Sequence, residues 1–487
     1  MFRYFPTNYV WDLSVNLSIE MGARMGEIAA MCEPLAEAAK APDAAGTAAF
    51  RESWVKMADT LTELATEDEA RGRTISAGVK HLRAANYMLT AERLQGHGSD
   101  GRLALYRRML AAFYRGLSMT HTGAQRVVIP YESQQLSAIW IPAEGVTGPQ
   151  PVLVQVNGLD SVKEMKYLVG PPNWLATRGV ASLIVDQPGT GEALRLHDIK
   201  ARFDSEHWAS KVVDWLEARP DVNPKRIGME GVSLGGYFCP RAVAFEPRFA
   251  CGVAWGGNHD WRDVQKRRLE REGDFPVPHY WDHVCWVWGA RDVDHFMESA
   301  ENVHLDGVLD RIQVPFLVTH GAKDSQIPLK WAERTYEQLI NSPRRELKIF
   351  DDRTGGAQHA SCDNAANAGI VLGRERHEAF ETRLADLDVA RGDREHAEGR
   401  QVVRQLDRRP PLAARVDREI GEEGRRRLKA GASCRRSDSL TPAAKGRAAP
   451  ATVAAPATAE ADRSAAEDVQ VGIAALGDEG QTQAREL

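Results

Sequence analysis

Gly231-Val232-Ser233-Leu234-Gly235-Gly236 constrains the fold of this chain more than any other stretch, because it joins an apolar run to a helix-compatible segment through a one-residue turn. A strand over residues 227–231 must become a helix at Ser233, which forces that serine into strained backbone with its hydroxyl at the tip of the turn. Gly231 and Gly235 let neighbouring backbone pass, and Gly236 lets the helix lie close to a sheet. The N–H of Leu234 then points where an oxyanion would form. The bland reading of the same pentapeptide is a tight turn with a solvated serine, and it must explain why suitable partners follow.

They follow in order. Residues 314–321 read as a buried parallel strand, and Asp324 lies just past its carboxyl end, where doubly wound sheets place their chemistry. An amphipathic stretch, 329–340, and another strand, 347–350, lead into the loop Gly355-Gly356-Ala357-Gln358-His359. Ser233 as nucleophile, Asp324 as acid and His359 as base, separated by 91 and 35 residues, have the chain order of α/β-hydrolases. Among rivals, His320 is read as a packed or hydrogen-bonded histidine, and Asp186, ahead of the sharp loop 187–191, as structural. Asp292 and Asp294 stand in reserve as acids. The second oxyanion donor is expected past the strand 152–156: the N–H of Leu159, with Gly158 permitting the turn and the residue number open by one.

Three zones divide the 487 residues. Residues 1–120 carry helical stripes: Trp11, Val15 and Ile19; Met21, Met25, Ile28 and Cys32; Phe50, Trp54, Met57, Leu61 and Leu64; Leu103, Tyr106, Leu110, Phe113 and Leu117. These are core faces of a helical domain, and such a layer beside a sheet could also roof a site. Residues 121–372 alternate strands and helices, which implies an α/β fold: a doubly wound, mostly parallel sheet, opened by β-rich segments at 127–129 and 136–141. A long interval separates the strands at 251–255 and 314–321, and it is read as a cap insertion at about 258–310. From Trp255 to Phe296 that region is dense in aromatics, with Trp261, Tyr280 and Trp281 among them. Pocket lining for a ring-bearing substrate and a self-contained cap core are equal readings of this density. Residues 373–487 contain no Trp or Tyr and many Arg, Ala, Glu and Gly. The composition predicts a disordered tail, or one read from a shifted frame, that is dispensable beyond about residue 390.

Composition bounds the function. A formal charge of −6 gives no reason to expect nucleic acid or an anionic membrane as partner. The expected partner is a small molecule, with a homodimer left open. Six cysteines without C-x-x-C spacing suit reduced thiols in a cytoplasmic protein. The first 14 residues lack an apolar signal core, and no apolar run is long enough to span a bilayer. His279 and His283, spaced i, i+4 near Asp282, would face one metal only if helical. No Glu completes the H-E-x-x-H pattern and a serine triad needs no metal, so neither metal nor cofactor is expected.

Ile19-Glu20-Met21-Gly22, Asp186-Gln187-Pro188-Gly189-Thr190-Gly191, the 231–236 turn and Ala254-Trp255-Gly256-Gly257 together resemble the 2,6-dihydroxypseudooxynicotine hydrolase family, itself related to FrsA-like esterases and fungal pigment polyketide-shortening hydrolases. The resemblance covers roughly residues 1–370, and its triad motifs are those of α/β-hydrolases generally. It implies hydrolysis of a carbon–carbon bond beside a ketone in an aromatic or polyketide substrate, within a cleft between the helical domain and the sheet. It also implies an extra acidic residue after the strand 251–255, for which Asp260 and Asp263 are candidates. The same machinery would serve a carboxylesterase or acyltransferase, and a catalytically silent binding module of the same fold is the alternative from another class.

Overall fold

The computed structural model describes residues 1–40, 44–120, 122–271 and 279–366. The expectations for residues 373–487 therefore lie outside the described residues.

Helical periodicity in the first zone is realised as α1 (Tyr9–Glu20), α2 (Met25–Cys32), α3 (Ala44–Ala70), α4 (Thr74–Arg93) and α5 (Arg102–Met119). The stripes meet in one apolar core containing Trp11, Val15, Ile28, Phe50, Trp54, Tyr106 and Phe113. Met25, Leu64 and Leu103 depart from it, at 56%, 41% and 40% exposed. The alanine-rich helix α4 had no strong apolar signal, yet Ala84, Ala85 and Leu89 are fully buried between its neighbours.

The remaining elements alternate as expected. They are β1 (Gln125–Tyr131), β2 (Gln134–Ile141), β3 (Gln150–Val156), α6 (Lys163–Val169), α7 (Pro171–Ala176), β4 (Ala181–Val185), α8 (Gly191–Arg195), α9 (Glu206–Glu217), β5 (Val222–Val232), α10 (Gly235–Phe245) and β6 (Cys251–Trp255). Then come α11 (Trp261–Glu270), α12 (Tyr280–Trp288), α13 (Val293–Ser299), β7 (Phe316–Gly321), α14 (Leu329–Gln338) and β8 (Arg345–Phe350). The eight strands form one sheet in the order β1-β2-β4-β3-β5-β6-β7-β8, antiparallel at the β1–β2–β4 edge and parallel elsewhere.

Register decides where chemistry can occur. Val156 pairs with Gly231, Val232 with Trp255, and Trp255 with Thr319. The carboxyl ends of β3, β5, β6 and β7 are thus level, and their following loops converge at one edge. Helices α9 and α10 cover one face of the sheet, burying Trp208, Tyr237 and Phe238. The helical region takes part of the other face, since Ile139, Ile141, Val162, Met165 and Ile184 share its core. Among the described residues, no helix is long and apolar enough to cross a membrane.

Candidate active site

The turn after β5 has the predicted strain. Ser233 sits at φ 59°, in left-handed backbone, held by its N–H donating to Trp255 O at 2.8 Å and its carbonyl accepting from Gly236 N at 2.8 Å. A Cβ on Gly231 would lie 2.0 Å from Gly235 O, and one on Gly236 would lie 2.2 Å from Gly256 O, so both glycines are needed for close backbone approach.

Three side chains meet there. Ser233 Oγ is 2.9 Å from His359 Nε2, and His359 Nδ1 is 2.8 Å from Asp324 Oδ2. Because the carboxylate only accepts, Nδ1 carries the proton and Nε2 is left to accept from the serine hydroxyl. Asp324 Oδ1 accepts from Gln326 N at 2.8 Å and Ile327 N at 2.9 Å, which locks the acid loop. Burial would lift the Asp324 pKa, but the His359 and His320 imidazoles and the Ile327 N–H hold it below its usual 3.8. Burial would likewise lower His359, but the Asp324 carboxylate outweighs this and raises it above 6.5. The loop carrying the histidine is pinned by Trp255 Nε1 donating to Ser361 Oγ at 3.2 Å.

The rivals fall elsewhere. His320 is buried and donates from Nε2 to Ile327 O at 2.9 Å, as a packed histidine would. Asp186 accepts from Lys163 Nζ and N at 2.8 Å and from Glu192 N at 2.9 Å, so its role is structural. Asp292 caps α13 by accepting from His295 N, and Asp294 lies on that helix away from the cavity.

Leu234 and Leu159 each keep a backbone N–H that donates to no described residue, as oxyanion donors require. Gly158 does not. Its N–H donates to Ser161 Oγ at 2.8 Å, and its φ is not positive, so its part is steric. A Cβ there would lie 3.0 Å from Ser233 Cβ and 3.3 Å from Oγ.

Ser233 and His359 open into a cavity of about 210 Å³. Its roof is α1, through Val10, Leu13, Leu17 and Glu20, together with Arg93 and Leu94 at the end of α4. The cap contributes Trp261, Val264, Arg268, Tyr280 and His283. Trp261 and Tyr280 are thus lining residues as expected, with the Tyr280 hydroxyl donating to Gln265 Oε1 at 2.7 Å. Trp281, Asp260 and Asp263 are corrections. Trp281 is one helical step from Tyr280, half-buried, and packs toward Phe296 without lining the cavity. Asp260 is spent as the cap of α11, accepting from Asp263 N at 2.9 Å, while Asp263 pairs with Arg267 at 2.6 Å. The cap aromatics thus divide between the cavity wall and the packing beneath it.

The histidine pair does not form a ligand set. His279 sits at φ 56° ahead of α12, and His283 Nε2 donates to Leu159 O at 3.2 Å. Among the described residues, one carboxylate group has metal-ligand spacing, Glu164, Asp186 and Glu192. Lys163 Nζ lies 2.7, 2.8 and 2.7 Å from their oxygens, so an ammonium already sits where a cation would.

Asp160, Arg93 and His283 are cavity residues that the sequence did not single out for this place. Asp160 follows an Asn-Gly turn, where an acidic residue is unremarked, and Arg93 comes from a helix in another zone. The Arg93 Nη2 to Asp160 Oδ2 pair, at 2.5 Å, spans 67 residues of chain.

With this geometry in hand, comparison with known proteins is informative. Residues 170–366 match the prolyl oligopeptidase family. The chain is 29% identical over 399 residues to a protein named hydrolase acrC from Aspergillus aculeatus, covering 72% of this chain and 91% of that one. It is 28% identical to 2,6-dihydropseudooxynicotine hydrolase of Paenarthrobacter nicotinovorans, covering 62% and 77% respectively. The crystal structure of the 2,6-dihydroxy-pseudo-oxynicotine hydrolase superposes with a TM-score of 0.61 at 22% identity, over 75% of this chain and 95% of that one, a likeness of fold.

Proposed function

We propose that the chain is a hydrolase of the α/β-hydrolase superfamily that cleaves a carbon–carbon bond beside a ketone in an aromatic or polyketide-like substrate, with Ser233 as nucleophile. The observation that carries the serine chemistry is the continuous relay from Asp324 through His359 to Ser233, opening into a cavity roofed by the helical region, while the choice of a carbon–carbon bond rests on the likeness to 2,6-dihydropseudooxynicotine hydrolase.

His359 Nε2 takes the serine proton as Oγ attacks a carbonyl carbon, and Asp324 stabilises the imidazolium that forms. The N–H groups of Leu234 and Leu159 receive the oxyanion. Collapse breaks the bond to the neighbouring carbon, whose electron pair leaves as an enolate and takes the proton from His359. Water, deprotonated by the same imidazole, then hydrolyses the acyl-enzyme to a carboxylic acid and frees Ser233. Support for a ring-bearing substrate comes from Trp255, Trp261 and Tyr280 on the cavity wall. The name of one relative, 2,6-dihydropseudooxynicotine hydrolase, supports a substrate of that kind.

The test is labelling by a fluorophosphonate, located by peptide mass spectrometry, followed by a panel of aromatic 1,3-diketones and simple aryl esters. Ser233 should be the labelled residue, and Ser233→Ala should lose on the order of 10³-fold or more in turnover. Turnover of aryl esters with none of any diketone would replace the carbon–carbon reading by an esterase. Near-normal turnover in Ser233→Ala would sink the nucleophile.

A further inference from the structure

Asp160 is a carboxylate of the cavity wall with one oxygen left over. Glu92, Asp186, Glu192 and Asp324 each have both oxygens engaged by donors of the protein. Asp160 has Oδ2 on Arg93 Nη2, while Oδ1 accepts from no described residue. Its side chain is 46% exposed and lines the cavity, whose walls are otherwise mostly apolar. An ionised carboxylate has about four acceptor sites, and leaving half of them idle beside apolar surface costs free energy unless something occupies them. Burial works to raise the Asp160 pKa, but Arg93 and His283 bring it to about 2, so the group offers only acceptors.

The surrounding structure holds this group in place. Arg93 arrives from the helical region, and His283 from the cap fixes the preceding Leu159 carbonyl at 3.2 Å. Leu159 is also the expected second oxyanion donor, and consecutive Cα atoms are about 3.8 Å apart. A carbonyl oxygen held at the Leu159 N–H therefore brings groups next to that carbonyl within reach of the Asp160 side chain. Charge narrows the donor. Arg93 already neutralises the carboxylate, and Arg268 places a second guanidinium on the cavity wall, 4.0 Å from the Tyr280 ring centroid. A further cation is disfavoured there, and a neutral hydroxyl is not.

Resting on the function argued above, we propose that Asp160 reads a hydroxyl group borne next to the attacked carbonyl, so that the enzyme selects phenolic or enolic ketones over their deoxy counterparts. Such a group discriminates, because the analogue lacking it brings an apolar edge against the half-exposed Oδ1, displacing water without replacing its hydrogen bond.

The experiment compares kcat/KM for 1-(2-hydroxyphenyl)butane-1,3-dione and 1-phenylbutane-1,3-dione in the wild-type enzyme and in Asp160→Asn. The wild type should favour the hydroxylated diketone by about tenfold or more, and the variant should lose at least about tenfold more on that substrate than on the other. Equal losses on both would make Asp160 a structural pin for Arg93 and overturn the proposal. Should the variant fail to fold, inhibition of the wild type by 2-hydroxyacetophenone against acetophenone decides the matter: at least about tenfold tighter binding of the phenol supports it, and equal binding overturns it. A wild type that labels at Ser233 but does not discriminate the pair refutes this inference alone. One that neither labels nor turns over either diketone refutes the proposed function and this inference with it.

Discussion

Gly158→Ala isolates the purpose of the close approach between the end of β3 and the nucleophile. The added Cβ would lie 3.0 Å from Ser233 Cβ, 3.1 Å from Val232 O and 3.3 Å from Ser233 Oγ. Gly158 is not at positive φ, so alanine pays no conformational penalty there and the effect is steric. Carbon atoms prefer separations of about 3.5–4.0 Å, so something must move by roughly 0.5 Å. The neighbours are poor at yielding, because the turn is held by the bonds from Ser233 N to Trp255 O and from Gly236 N to Ser233 O, both 2.8 Å. The displacement falls on Oγ, which must stay near 2.9 Å from His359 Nε2. A misplacement of about 1 Å costs about 10²-fold, so half of that predicts a loss of about tenfold, or about 1.4 kcal/mol in the barrier. Overpacking should also take about 1–3 kcal/mol from stability. The assay is the second-order rate of fluorophosphonate labelling, read beside the thermal midpoint. Labelling within about twofold of wild type would show that Ser233 has room to spare and would refute the steric reasoning.

Four other outcomes are expected. The rate should fall as pH drops through the His359 pKa, which Asp324 holds above 6.5; Asp324→Asn removes the main opposition to burial, so kcat falls by about 10³–10⁴-fold and the acid limb shifts to lower pH, and an unmoved limb would remove His359 as base. The same pair stabilises the fold fully below the unfolded histidine pKa, and the contribution is lost as pH rises through the raised folded value, so the gap in thermal midpoint between wild type and Asp324→Asn should narrow on the alkaline side. Glu92→Gln should cost about 3–5 kcal/mol by urea unfolding, because Glu92 joins Arg102 at 2.7 Å and Arg195 at 3.0 Å, all three buried, and a cost under about 1 kcal/mol would contradict a tightly coupled triad. Trp261→Ala and Tyr280→Ala should change the ratio of ring-bearing diketone to 4-nitrophenyl acetate turnover, whereas Trp281→Ala should lower the thermal midpoint and leave that ratio alone; a changed ratio in Trp281→Ala would put its side chain back in the pocket.

The residues that could be read in order were those whose constraint is local. A strand turning into a helix through Ser233 demands glycine where a Cβ would meet backbone at about 2 Å, and that demand is written in consecutive positions. Apolar runs marked the strands for the same reason, since a strand buried on both faces shows no polar break. The sequence alone thus determined the sheet, the turn and the order of Ser233, Asp324 and His359. Tertiary structure decided which side chains share the cavity. Tyr280 and Trp281 are adjacent in sequence but about 100° apart around α12, and packing against Phe296 sets which one faces inward. Asp260 and Asp263 were plausible acids by position, yet the start of α11 consumes one as its cap and an i, i+4 arginine takes the other. Arg93 and Asp160 meet only because α4 packs against α6, the helix that follows the loop after β3, a contact between distant segments that no local pattern encodes.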